Sequence, residues 1–192
     1  QQTKIKVTLN LILVHARGLN IPHKRTTVLE FLRKKNIDFA MIKESHLLCK
    51  DAGRLANKIY HPIATSSAAT KSKGVMVLCK CKLKFDMIAS WADDAGRIAF
   101  AKIRMDGKNI AVISAYAPNA FDVAFYELST KSLLDLTGFH LVPGQISMRC
   151  GTATWTQQVT SRVGTSVLRL RRSASGRPIQ AWSTFGVCLT PL

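Results

Sequence analysis

Acidic residues are scarce in this chain. Eleven aspartates and glutamates stand against 28 lysines and arginines in 192 residues, a formal net charge of +17. None of the acids lies beyond Asp135, and the last lysine is Lys131. Residues 136–192 contain no Asp, Glu or Lys, only six arginines among dense Ser, Thr and Gly. Solvated surfaces normally carry both signs, so residue 136 marks a break in composition. A surplus of positive charge this large favours an anionic partner, most simply nucleic acid. No apolar run approaches the roughly 18 residues of a membrane span, so no membrane partner is expected. The opening stretch QQTKIKVTLNLILVHARG lacks the small-residue cleavage pattern of a signal peptide and reads as a strand. The cysteines are Cys49, Cys79, Cys81, Cys150 and Cys188, an odd number with no C-x-x-C spacing. That fits reduced intracellular thiols better than a disulfide framework. Cys79 and Cys81 alone make a poor zinc case. No internal repeat is visible.

The remaining 47% hydrophobic content is that of a globular chain, and the length suffices for one domain with a sizeable core. Residues 5–14, IKVTLNLILV, alternate in part and predict a strand. Residues 23–35 place Val28, Leu29 and Leu32 on one face and predict an amphipathic helix with a basic outer face, ended by Asn36. IDFAMIKE predicts a buried strand, residues 50–58 a short helix, and KGVMVLCK and FDMIASW two more strands. RIAFAKIRMDGKNIAVISAY predicts a hairpin, because Asp106-Gly107 between strand-like runs is a strong local turn signal. AFDVAFYELSTKSLLDL predicts a helix that buries Phe121, Phe125, Leu128 and Leu133, and GFHLVP a strand after it. Strand, helix and strand followed by antiparallel strands predict an α/β sandwich rather than a uniform parallel sheet.

The chemistry-bearing residues cluster at the ends of these strands. Glu44 follows IDFAMI directly. A carboxylate there is placed to hold a hard cation such as Mg²⁺; position alone favours the plainer reading, the first solvated residue past the strand. His15 ends the first strand, with Arg17-Gly18 in a tight loop after it. It is a phosphate contact or ordinary packing. Arg97, in the turn Asp94-Ala95-Gly96-Arg97, reaches a backbone phosphate or is plain turn chemistry. Tyr116 and Asn119, in ISAYAPNAFD, stand at the mouth of the hairpin's second strand.

The order of these pieces is more specific than any one of them. LVHARGLNIPHKRTTVLEFLRKKNIDFAMIKESHL, then SKGVMVLCK, then DDAGRIAFAKIRMDGKNIAVISAYAPN resembles the endonuclease domain of non-LTR retrotransposons. That domain is a branch of the endonuclease/exonuclease/phosphatase superfamily, which includes the apurinic/apyrimidinic endonucleases. The resemblance covers roughly residues 5–142. It implies a four-layer α/β sandwich of the DNase I-like type, Mg²⁺ as cofactor, DNA as partner through its phosphate backbone, and a nuclear setting. It implies Glu44 as metal ligand, Tyr116 and Asn119 as catalytic residues facing the scissile phosphate, and His15, Arg17 and Arg97 on the substrate side.

The match also departs from the family pattern. Where the family ends its first strand in asparagine, this chain has His15, and imidazole does not offer the donor and acceptor of a carboxamide together. Lys43 replaces the glutamine before the glutamate. The strand FHLVPG runs into Gln145-Ile146-Ser147 where the family has Gly-Asp-Phe-Asn, and the late Ser-Asp-His is missing. Gln145 carries no charge and is no general base. Residues 143–192 are therefore expected to be divergent or read in a shifted frame, partly disordered, and to leave the fold incomplete at its C-terminal part. Three functions stay open: a catalytically impaired endonuclease-like domain, a non-catalytic nucleic-acid-binding module, and a phosphoesterase acting on another substrate.

Overall fold

The computed structural model describes residues 9–118 and 122–144, together with the backbone of 165–170 and 181–183. Asn119, Phe121 and the run from Gln145 to Ser147 lie outside the described residues, as does the start of the expected first strand. In chain order the elements are β1 (Leu9–His15), α1 (Pro22–Lys34), β2 (Phe39–Lys43), a 3₁₀ helix (Cys49–Leu55), β3 (Tyr60–Ser66), β4 (Val75–Lys80), β5 (Asp86–Ala92), β6 (Ile98–Met105), β7 (Lys108–Ala115), α2 (Val123–Leu134), β8 (His140–Gly144), β9 (Thr165–Leu170) and β10 (Ala181–Ser183). They form two sheets, ordered β10-β9-β1-β2-β4-β3 and β5-β6-β7-β8.

Two apolar faces per sheet explain the layers. Along β2, Phe39 and Met41 point into the core between the sheets, and Ala40 and Ile42 point to the other side, against α1. β2 is accordingly buried at every position, as expected for a central strand covered on both faces. α1 closes the outer face of the first sheet with Leu29 and Leu32. α2 closes the outer face of the second sheet with Phe125, beside Phe100 and Ile113. The result is helix, sheet, sheet, helix, the expected four-layer sandwich.

Local chemistry sets the boundaries. Pro22 opens α1, where its missing N–H costs nothing. Asn36 takes φ 52° just past its end, a conformation asparagine tolerates. Asp122 caps α2 by accepting from the Phe125 amide at 3.2 Å. Asp106 and Gly107, both at positive φ, make the two-residue turn that pairs Met105 with Lys108.

Of the strands up to residue 144, one has no counterpart in the sequence pattern. β3 carries Pro62 and breaks register between Pro62 and Ala64. A proline is tolerated only on an edge or at a bulge, and β3 is both edge strand and bulged. The short helix expected at 50–58 is a 3₁₀ helix over Cys49–Leu55. Further along the chain, β9 pairs antiparallel with β1 and β10 pairs antiparallel with β9, so these two strands, which the sequence pattern does not predict, extend the first sheet.

Candidate functional site

β1 and β2 run parallel with His15 opposite Lys43, so their carboxyl ends emerge side by side. The loops beyond them stay locked together. Ala16 N–H donates to Lys43 O at 2.9 Å, Gly18 N–H to Glu44 O at 2.7 Å, and Leu19 N–H to Ser45 O at 2.7 Å. Gly18 sits at φ 85°, where glycine is favoured, and a Cβ on it would stand 3.1 Å from His46 Nδ1, closer than side chains ordinarily pack. Two cations of α1 reinforce it from outside. Lys24 Nζ donates to Arg17 O at 2.9 Å, and Arg25 Nη1 donates to Leu19 O and Asn20 O at 2.8 and 2.7 Å. The basic helix face is thus partly spent on holding the loop after β1.

Glu44 itself lies in the left-handed region, φ 51°. A non-glycine residue there is uncommon and worth a functional reading. Its Oε2 is 2.7 Å from His15 Nε2, and the Tyr116 hydroxyl donates to the same carboxylate. The His15 and Tyr116 rings are 6.1 Å apart, flanking Glu44 from the two sheets. Tyr116 is positioned by the end of β7. Its amide donates to Arg97 O at 2.8 Å, and Arg97 Nη1 donates back to Tyr116 O at 3.3 Å. The guanidinium carbon lies 5.6 Å over the tyrosine ring, within cation–π range.

These contacts shift the acids and bases. Burial raises the Glu44 carboxyl, but hydrogen bonds from Tyr116 and His15 and the charges of His15 and His46 outweigh it and hold the group below its usual range. Tyr116 is pushed up, first by donating to Glu44, then by burial and by the carboxylate's charge, with Arg97 opposing. Lys43, buried in the strand just before Glu44, is lowered to about 8 by desolvation, against the pull of the Glu44 charge. A carboxylate this well hydrogen-bonded is a weak base, and a phenol held protonated is a donor rather than a nucleophile.

The structure brings His15, Glu44, Arg97 and Tyr116 into one constellation. Arg17 stands two residues beyond His15, exposed, at φ 49°. Two residues with no predicted role also belong to this end of the sandwich. Lys43 is one. Asp93 is the other: its Oδ1 accepts from Ser66 Oγ and from the amides of Arg97 and Ile98 at 3.0 and 2.9 Å. The signal for Asp93 is present in the sequence, as an aspartate three residues before Gly96 is standard turn chemistry.

The architecture, two face-to-face sheets with helices outside and polar residues gathered where strand ends meet, defines a class of α/β sandwich. No family model matches the sequence. Among solved structures the chain is similar to the catalytic domain of Xenopus laevis APE2, with TM-score 0.54 and 15% identity over 76% of this chain and 62% of that one. It is similar to the endonuclease/exonuclease/phosphatase from Bacteroides vulgatus, TM-score 0.54 and 13% identity over 72% and 66%. It is similar to an endonuclease/exonuclease/phosphatase family protein from Bacteroides thetaiotaomicron, TM-score 0.53 and 14% identity over 72% and 63%. The fold is that of the endonuclease/exonuclease/phosphatase superfamily, as the sequence resemblance implies. The likeness is distant and partial, and the chain spans less than two thirds of the length of each of these structures.

Proposed function

We propose that this chain is a phosphodiester-binding domain on the endonuclease/exonuclease/phosphatase fold, akin to the DNA-nicking endonucleases of non-LTR retrotransposons, that holds nucleic acid by its backbone and hydrolyses it little or not at all. The observation that carries this is the make-up of the strand-end constellation. Lys43 adjoins a carboxylate that His15 and Tyr116 already engage, and Arg97 lies over the Tyr116 ring. Hydrolysis needs an oriented nucleophile and stabilisation of charge on the phosphoryl oxygens. Arg97 and Arg17 can serve the second need. Glu44 is too weak a base for the first, and the Asp93 oxygen that has partners is committed to the turn before β6.

Mg²⁺, which the resemblance implies, is tested by the donors present. It prefers near-octahedral oxygen ligation, usually through one or two carboxylates and waters. No group of three or more His, Cys, Asp or Glu side chains converges among the described residues, and Glu44, the carboxylate at the centre of the constellation, is engaged by an imidazole and a phenol. The residues as arranged do not fit a Mg²⁺ site, and the binding proposed here runs through the cations of the chain alone.

The test is duplex DNA binding by fluorescence anisotropy across salt. Log affinity is expected to fall steeply and linearly with log salt, alike for unrelated sequences and with or without Mg²⁺, because each neutralised phosphate releases counterions. The wild type is expected to nick supercoiled plasmid no faster than Glu44→Ala. Affinity indifferent to salt overturns the binding reading; nicking that disappears with Glu44→Ala overturns the catalytic one.

A further inference from the structure

We propose that the His15 imidazole and a hard divalent or trivalent cation are alternative occupants of the Glu44 carboxylate, so that His15 closes a cation site this end of the sandwich would otherwise present. The inference stands on geometry. The contact of 2.7 Å from His15 Nε2 to Glu44 Oε2 is short, and it is not a chance meeting of two surface side chains. His15 is the last residue of β1, and the hydrogen bonds from Ala16, Gly18 and Leu19 to Lys43, Glu44 and Ser45 fix its backbone against that of Glu44. The positive φ of Glu44 is part of the same locked loop pair.

From the other side comes the Tyr116 hydroxyl, so two donors approach the carboxylate from two different sheets. A Mg²⁺ ion binds a carboxylate oxygen at about 2.0–2.1 Å. The imidazole N–H and the phenol O–H take two of the carboxylate's roughly four lone-pair sites and offset the charge that would draw a cation, so they compete with it for the same group. Lys43 adds a buried ammonium next to the same residue. The carboxylate is therefore neutralised from within the chain, by groups that do for the fold what a bound cation would do. Removing the ring frees one oxygen of a carboxylate that is one-fifth exposed and faces solvent.

The proposal does not depend on nucleic acid being the partner, since its test involves none. Tb³⁺ is a hard, oxygen-seeking probe whose emission is sensitised by a tyrosine within a few ångströms, and Tyr116 lies on the carboxylate. Tb³⁺ is titrated into the wild type, His15→Ala, and His15→Asn, the last keeping a polar group without a ring that reaches Glu44. Urea midpoints confirm that each variant is folded. Losing a hydrogen bond to a charged group should raise Tb³⁺ affinity roughly tenfold or more in both His15 variants. Adding Glu44→Gln to either should abolish the gain. Mg²⁺ should displace the probe from the His15 variants. Equal affinity in wild type and variants overturns the proposal, and so does a loss of affinity in the variants, which would make His15 a co-ligand. A gain that survives Glu44→Gln also overturns it, because the cation would then sit elsewhere.

Discussion

Two carboxylates, Glu44 and Asp93, stand at the same end of the sandwich, each just past a strand, and they do opposite work. Asp93 is buried, and its Oδ1 collects the Ser66 hydroxyl and the amides of Arg97 and Ile98. Its partners are mostly backbone, in the turn that launches β6. Glu44 is part exposed, and its partners are side chains drawn from two sheets. Backbone partners make a carboxylate a structural clamp. Side-chain partners that meet only at the mouth of the fold make it part of a site. Burial, rather than residue type, separates the two.

The largest effect should come from breaking the clamp. Asp93→Ala strands the amides of Arg97 and Ile98, while Ser66 Oγ keeps its bond to the residue-93 carbonyl, and should destabilise the domain by about 2–3 kcal/mol in urea unfolding. Glu44→Ala should cost less than about 1 kcal/mol, since its donors can turn to water. Equal costs would erase the distinction drawn between the two carboxylates.

Lys43 sharpens the comparison from the opposite sign. Its amine titrates at about 8 in the folded chain against an ordinary 10.5. The unfolded state therefore binds more protons between those values, and stability should rise with pH across that window. Below about 8 both states are protonated and the full cost of burying the ammonium remains. Lys43→Met keeps the stem's volume and removes the charge. It should stabilise the domain near neutral pH by about 1–3 kcal/mol, an advantage that shrinks as pH climbs towards 10.5. A variant no more stable than the wild type at neutral pH would mean that the ammonium is well compensated where it lies.

Much of this fold is legible in the sequence, and the exceptions have physical reasons. β1, α1, β2 and the β6–β7 hairpin follow from periodicity and from one Asp-Gly turn, which are local properties. β3 escapes because Pro62 interrupts its run, and only the sheet edge and the bulge show how the proline is accommodated. His15, Glu44, Arg97 and Tyr116 are legible as strand-end residues in a family-like order. What they do to one another is not. The contact of His15 with Glu44 depends on β1 and β2 pairing in parallel with His15 opposite Lys43, a tertiary fact. Lys43 itself looks like the solvated end of an apolar run. It is buried because β2 lies between β1 and β4, with Val75 directly across from it. Asp93 likewise looks like ordinary turn acid until Ser66 arrives from another strand.

The smallest effect is the most specific to Glu44. Its carboxyl is held below the ordinary 4.5 in the folded chain, the hydrogen bonds from Tyr116 and His15 prevailing over burial. A depressed carboxylate contributes stability that is present above the unfolded value and lost as pH falls through the folded one. Glu44→Gln cannot titrate, so it should lack that acid-side slope. The wild type should be the more stable near neutral pH by about 1 kcal/mol or less, with the two stability curves converging as pH drops below the ordinary carboxylate range. The same substitution should reach Lys43. Glu44 supplies a charge that raises the amine, so without it the alkaline rise in stability should begin at lower pH. Urea unfolding of both proteins from acid to alkaline pH reads both ends at once. Parallel curves throughout would show that Glu44 is a solvated loop residue whose contacts with His15 and Tyr116 carry no free energy.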